Sequence, residues 1–201
     1  MAAEPRARIL ESARALYLEG GAEAVTMRSV AKKVGVTATA LYRHFDNKDD
    51  LLGELIRQGF ETFGTYLYRA LSGRTPAERL RRSAEAYCDF ALEQREMYRT
   101  LFMSQVTGDR KELVKRNDPD CDPRSTYRFL IDRLRECIES GDVRDEDPEL
   151  LAVSVWAHVH GLVSLQICGS MGVPDDKFRQ AYRRSIDLLM SGLARKAKPT
   201  P

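Results

Sequence analysis

No CxxC pair occurs in this chain of 201 residues; its four cysteines, Cys88, Cys121, Cys137 and Cys168, stand far apart. That spacing excludes the closely paired thiolates of a structural zinc site. His158 and His160, two positions apart, would face different sides of a helix. Neither a metal nor a cofactor is therefore expected, and unpaired thiols fit a reducing cytoplasm. The opening MAAEPRARIL lacks the apolar stretch of a secretory leader. A GxSxG elbow, a P-loop, an HExxH pair and a paired-carboxylate motif are also missing, so the expectation is a protein that binds without catalysing. A strong charge of one sign is lacking too: a net charge of +2 excludes a polybasic polymer binder and leaves any nucleic-acid footprint to local clustering.

Strand alternation and internal repeats are absent, whereas helical periodicity and punctuation recur throughout. Residues 4–19 set Ile9, Leu10, Ala13, Leu16 and Tyr17 on one face, and Gly20-Gly21 ends that helix. Thr26 caps a short helix carrying Met27, Val30, Ala31 and Val34 as far as Gly35. Thr37 caps a third, at 38–44, in which Leu41 and Phe45 point one way while Thr39, Tyr42 and Arg43 point elsewhere. Asn47 caps a long fourth helix ending near Ser72-Gly73. Further helices are expected from Thr75-Pro76, in MYRTLFMSQ, from Pro123 to near Gly141, from Asp147-Pro148, and from 175 to about 195. Residues 107–122 read as a loop. The apolar run LLAVSVWAHVHGLVSLQIC at 150–168 approaches membrane-spanning length, but its interspersed Ser, His and Gln favour a buried helix, and no membrane partner is expected.

The fold class expected is all-α: an N-terminal three-helix module with a helix-turn-helix at 1–48, a larger helical domain at 49–196, and a flexible tail at 197–201. Helix, glycine turn and helix over 27–44 form the unit whose second helix lies in the major groove of duplex DNA, although bundles that never touch DNA use it too. Charge separates the two readings. From Thr26 to Phe45 the chain has Arg28, Lys32, Lys33 and Arg43 and no Asp or Glu. Thr26, Tyr42, His44 and the start of the fourth helix with Lys48 offer donors to phosphates. Thr37, Ala38, Thr39 and Arg43, with Arg28 from the preceding helix, are the candidates for base edges. The plain alternatives are that Thr26, Thr37 and Asn47 act only as caps and that Tyr42 covers the edge of a core.

TMRSVAKKVGVTATALYRHFDNKDDLL closely resembles the N-terminal module of the TetR family of bacterial transcription regulators, through Thr26, Ala31, Gly35, Val36, Leu41, Tyr42, Phe45, Lys48 and Leu51. REMYRTLFM with WAHVHGLVSL further resembles a subgroup carrying a Trp and a His-Gly pair in its C-terminal domain. The resemblance implies backbone contacts from Tyr42, His44 and Lys48 and base contacts from positions 37 to 39 and 43. Ala38 and Thr39 depart from the Lys-Gly often found there, so the family's base preference does not carry over.

In the larger body, ligand pockets are mostly apolar with a few orienting polar groups. Tyr87, Phe90, Phe102, Gln105, Tyr127, Trp156 and His160 are the candidates, with plain core packing as the alternative for each. Val155, Val159, Leu162 and Val163, with Tyr182, Ile186, Leu189 and Met190, are the candidates for a partner surface. The resemblance implies that the two helices bearing them pair with their copies as a four-helix bundle. The function expected is a homodimeric, ligand-responsive repressor of a palindromic DNA operator, released by a small-molecule effector. A helical-bundle carrier or enzyme, and a helix-turn-helix adaptor without ligand, are the alternatives.

Overall fold

The computed structural model describes residues 5–103 and 124–195. In chain order its helices are α1 (Pro5–Ala24), α2 (Met27–Val34), α3 (Ala38–Leu41), α4 (Lys48–Tyr68), α5 (Pro76–Glu93) and α6 (Arg95–Tyr98). They continue with α7 (Ser125–Glu139), α8 (Pro148–Ile167) and α9 (Asp175–Leu193). A 3-10 turn at Arg69–Ser72 follows α4, and a π turn at Arg99–Met103 follows α6. The expected loop at 107–122, the residues Gln105, Cys121 and Pro123, and the tail at 197–201 lie outside the described residues.

Two compact units result. Of the described residues, 5–62 and 96–103 form the first and 63–95 with 124–195 the second. The first therefore runs past the expected boundary at 48, because Leu51, Leu52 and Leu55 of α4 belong to the same buried cluster as Ile9, Ala13, Tyr17, Val30, Leu41 and Phe45.

Local chemistry places each element of this head. The helical backbone of α1 breaks at Gly20 and at Gly21, whose φ of 68° is left-handed and cheap only for glycine. At the start of α2 the Thr26 hydroxyl accepts from the Ser29 amide at 3.0 Å, while Ser29 Oγ accepts from the Thr26 amide at 2.9 Å. This reciprocal box satisfies two donors that a helix start leaves unpaired. At the other end Gly35, with φ 81°, donates its amide to Ala31 O. α3 is shorter than expected, since a turn replaces helix from Tyr42 onward.

In the second unit, Leu80, Ile131, Leu134, Leu151, Ala152, Val155 and Leu193 join α5, α7, α8 and α9 in one core. α8 has the length and apolar composition of a membrane span. Its Leu151, Ala152, Val155, Val159, Val163 and Ile167 are nevertheless buried within the unit, as a core helix requires. From α5 and the start of α6 to α9 a row of ion pairs runs along the surface: Arg81 with Asp187, Arg179 with Asp89, and Arg95 with Asp175. Burial pushes the thiols of Cys88 and Cys137 up to about 12, so neither supplies a thiolate near neutrality.

A Cβ added at Gly35 meets nothing within 4 Å, so its cost is purely that of the left-handed backbone. Gly35→Ala is expected to lower the stability of the head by about 1–2 kcal/mol in equilibrium denaturation.

Candidate nucleic-acid interface

The candidate surface is built from beneath. Leu41 and Phe45 are 0% and 2% exposed and pin the corner to the core of the head. Backbone bonds from Tyr42 to Ala38, from His44 to Leu41 and from Phe45 to Leu41 hold the turn that follows α3. With the apolar side spent, Thr37, Thr39, Tyr42, Arg43 and His44 stay in solvent, and Ala38 is half-buried. Tyr42 is 53% exposed, which does not suit a ring covering a core edge. On α2, Arg28, Lys32 and Lys33 are exposed as well.

Capping is equally real. Thr26 and Thr37 accept from Ser29 and Ala40, and Asn47 Oδ1 accepts from the Asp50 amide at 2.9 Å. The start of α4 is a poorer anion site than expected for this reason: that amide is engaged, and Asp49 and Asp50 put negative charge into the first turn. Two counterions went unforeseen. Glu19 on α1 holds Lys33 at 2.6 Å, and Glu23 holds Lys48 at 3.7 Å. Such exposed pairs are worth about 0–1 kcal/mol, so a phosphate can displace the carboxylates. Fourteen or more positions separate the partners in sequence, and only the fold brings them together, α1 against α2 for Glu19 with Lys33 and the end of α1 against the start of α4 for Glu23 with Lys48.

In the second unit the structure gathers several of the expected pocket residues. The Tyr87 hydroxyl lies 3.0 Å from His160 Nδ1, and the Ser164 hydroxyl lies 3.3 Å from Nε2. The Trp156 ring stands 5.8 Å from His160 and 6.0 Å from Tyr127. Phe63 joins this group to Phe90, at 5.5 Å from Tyr87 and 4.9 Å from Phe90. Ser164, one helical turn beyond His160, was legible as a neighbour from spacing alone. Phe102 is placed instead in the first unit, against Phe60 and Tyr98. Burial lowers the His160 pKa and keeps its ring neutral, with one nitrogen to donate and one to accept.

Most of the residues expected at a partner surface are buried within the second unit itself. Val155, Val159, Val163, Tyr182 and Ile186 are at most 5% exposed and fill the unit's own core, and the Tyr182 hydroxyl donates to Ala84 O. Leu162, Leu189 and Met190 are half-buried. The large apolar side chains left in solvent on these helices are Leu150, Val153, Trp156 and Leu165 of α8 and Leu188 of α9.

A helix-turn-helix whose own segment, 26–45, carries exposed cations and no acid, followed by a second helical unit, defines a DNA-binding regulator. Comparison with known proteins agrees. Residues 9–55 match the family described as bacterial regulatory proteins of the tetR family, and 80–189 match the tetracyclin repressor-like C-terminal domain. The chain belongs to the TetR family of transcriptional regulators.

Among its relatives is the HTH-type transcriptional regulator HbdR of Aromatoleum sp. (strain CIB), 28% identical over 160 residues, 78% of this chain and 68% of that protein. The transcriptional repressor KstR of Mycolicibacterium smegmatis is 42% identical over 78 residues, 38% of either chain. Among solved structures, the TetR family regulator PfmR of Thermus thermophilus superposes with a TM-score of 0.75 at 25% identity, covering 97% of this chain and 100% of its own. AibR, solved with isovaleryl coenzyme A and operator DNA, gives a TM-score of 0.68 at 22% identity over 94% of this chain and 98% of its own, a likeness of fold.

Two outcomes follow from the geometry. In fluorescence anisotropy, Arg43→Ala is expected to relax base preference by about 1–3 kcal/mol at one position, while Lys48→Ala weakens all duplexes alike and reduces the salt slope by about 1. The lowered His160 pKa means that the unfolded chain binds the extra proton first, so stability falls as pH drops through the ordinary value of 6.5. Unfolding followed by the single tryptophan, Trp156, is expected to show this loss between neutral and acid pH, and His160→Gln to flatten it.

Proposed function

We propose that this regulator is a repressor that binds a palindromic operator as a homodimer and releases it when a small molecule occupies the second unit. The observation that carries this reading is the exposed, acid-free surface of Thr37, Thr39, Tyr42 and Arg43 over a buried Leu41 and Phe45. Phosphates set register through Tyr42, His44 and Lys48, with Thr26 at the start of α2. Thr37, Ala38, Thr39 and Arg43, with Arg28, face base edges. Repression is supported by the repressors among the relatives, and a small-molecule effector by the ligand-bound complex of AibR. The reaction to ligand takes place in the cytoplasm, where the operator lies.

Tyr87, Phe90, Tyr127, Trp156 and His160 supply the apolar wall and the orienting polar groups of the effector site. α4 contributes Leu51, Leu52 and Leu55 to the head and Phe63 to the aromatic group of the second unit. An effector that prefers another tilt of α4 thus changes the setting of the head. A coupling of about 1–3 kcal/mol weakens operator binding by roughly 5- to 150-fold.

Dimerisation is supported by the exposed apolar residues of α8 and α9. Leu150, Val153 and Leu188 are each more than half exposed, and a Cβ at Gly161 would meet nothing within 4 Å, so a second backbone can approach there. A two-fold pair would place its recognition helices about 34–36 Å apart.

Selection from a random duplex pool, with and without candidate metabolites, is expected to enrich a palindrome and to lose it when the effector is present. Enrichment of no duplex would remove the reading. Leu188→Glu puts a charge into the proposed partner surface and is expected to raise the dimer dissociation constant roughly 30-fold, the size of an interface hot spot, in sedimentation equilibrium.

A further inference from the structure

Glu54 is an acid buried in an otherwise apolar stretch of α4, at 3% exposure. Arg6 Nη1 of α1 donates to its Oε1 at 2.9 Å, Arg57 Nη2 donates to the same oxygen at 2.9 Å, and Arg57 Nε donates to Oε2 at 2.8 Å. Both oxygens are therefore occupied, and from two directions. Burial works against the charge, but the bonds from Arg57 and Arg6 outweigh it and hold the carboxyl below its ordinary range.

The Arg6 guanidinium has a second contact: its carbon lies 5.0 Å from the centre of the Phe45 ring. Phe45 closes the turn that carries Tyr42, Arg43 and His44, and its amide donates to Leu41 O at 3.1 Å. One planar cation thus joins a fixed carboxylate on α4 to the residue that ends the reading turn.

We propose that Glu54 is a positioning residue for DNA recognition: through Arg6 and Phe45 it sets the orientation in which the reading turn meets base edges. Stability alone is a poor reason for such an acid, because a buried ion pair is often matched by an apolar side chain of similar volume. What the pair adds is direction. Arg57 holds both oxygens of Glu54, the fixed carboxylate holds Arg6 by Nη1, and the guanidinium so tethered is kept over the Phe45 ring. Neither Glu54 nor Arg6 needs to touch DNA. The proposal rests on α3 and its turn reading the duplex.

The test uses the full chain, well below its melting temperature, with two probes: the duplex that the wild-type protein enriches most from a random pool, and a scrambled duplex of equal length and composition. Glu54→Gln keeps the volume and removes the charge. It is expected to weaken binding of the enriched duplex by about 5- to 150-fold, the equivalent of one misread base pair, while the scrambled duplex is bound as before and the salt slope is unchanged. Arg6→Lys keeps a cation for Glu54 but loses the flat face against Phe45, and is expected to lose discrimination in the same sense. It also serves where Glu54→Gln does not fold. Wild-type discrimination in the folded variants, or equal loss on both duplexes, would overturn the proposal while leaving DNA reading intact. A wild-type protein that does not discriminate would overturn both.

Discussion

Two buried side chains, Leu41 and Phe45, make it possible for the polar residues around them to stay exposed on so short a corner. A helix as short as α3 has too few internal hydrogen bonds to persist alone. Its two apolar anchors, set into a core shared by α1, α2 and the first turns of α4, replace what length would otherwise supply. Tyr42, Arg43 and His44 can then remain in water without loosening the corner, because the turn that bears them is held by backbone bonds to Ala38, Ala40 and Leu41.

Electrostatics divides the two units differently. In the head, cations face solvent with few internal counterions, and the pairs from Glu19 and Glu23 are weak enough to give way to phosphate. In the second unit, arginines of α5, α9 and the start of α6 are matched across the helix seam by Asp187, Asp89 and Asp175, so little free positive charge is left along that row. A chain with a net charge of only +2 thereby keeps its nucleic-acid character local.

The head was legible because short-range chemistry decides it. Thr26, Gly35, Thr37 and Asn47 announce helix ends by their own hydrogen bonds and backbone preferences, and Leu41 with Phe45 follows from spacing. Which face of α8 stays in solvent was not legible, since the helix is apolar on nearly every side. Its stripe through Leu151, Val155, Val159 and Val163 and its stripe through Leu150, Val153, Ala157 and Leu165 read alike, and only tertiary packing buries the first while exposing the second. Glu54 was hidden for a related reason. Its partner Arg6 lies 48 positions away, and no periodicity links a buried acid to a distant arginine. In the second unit, the meeting of Tyr87 with His160 likewise depends on α5 packing against α8.

The most direct measurement is amide hydrogen exchange, read by mass spectrometry, on the full chain saturated with its enriched duplex. Residues 36–46 are expected to exchange more slowly than in the free protein, with the buried face of α1 at 9–17 unchanged. Unaltered exchange at 36–46 in a sample shown by anisotropy to be fully bound would contradict the account, because the duplex would then be meeting some other surface.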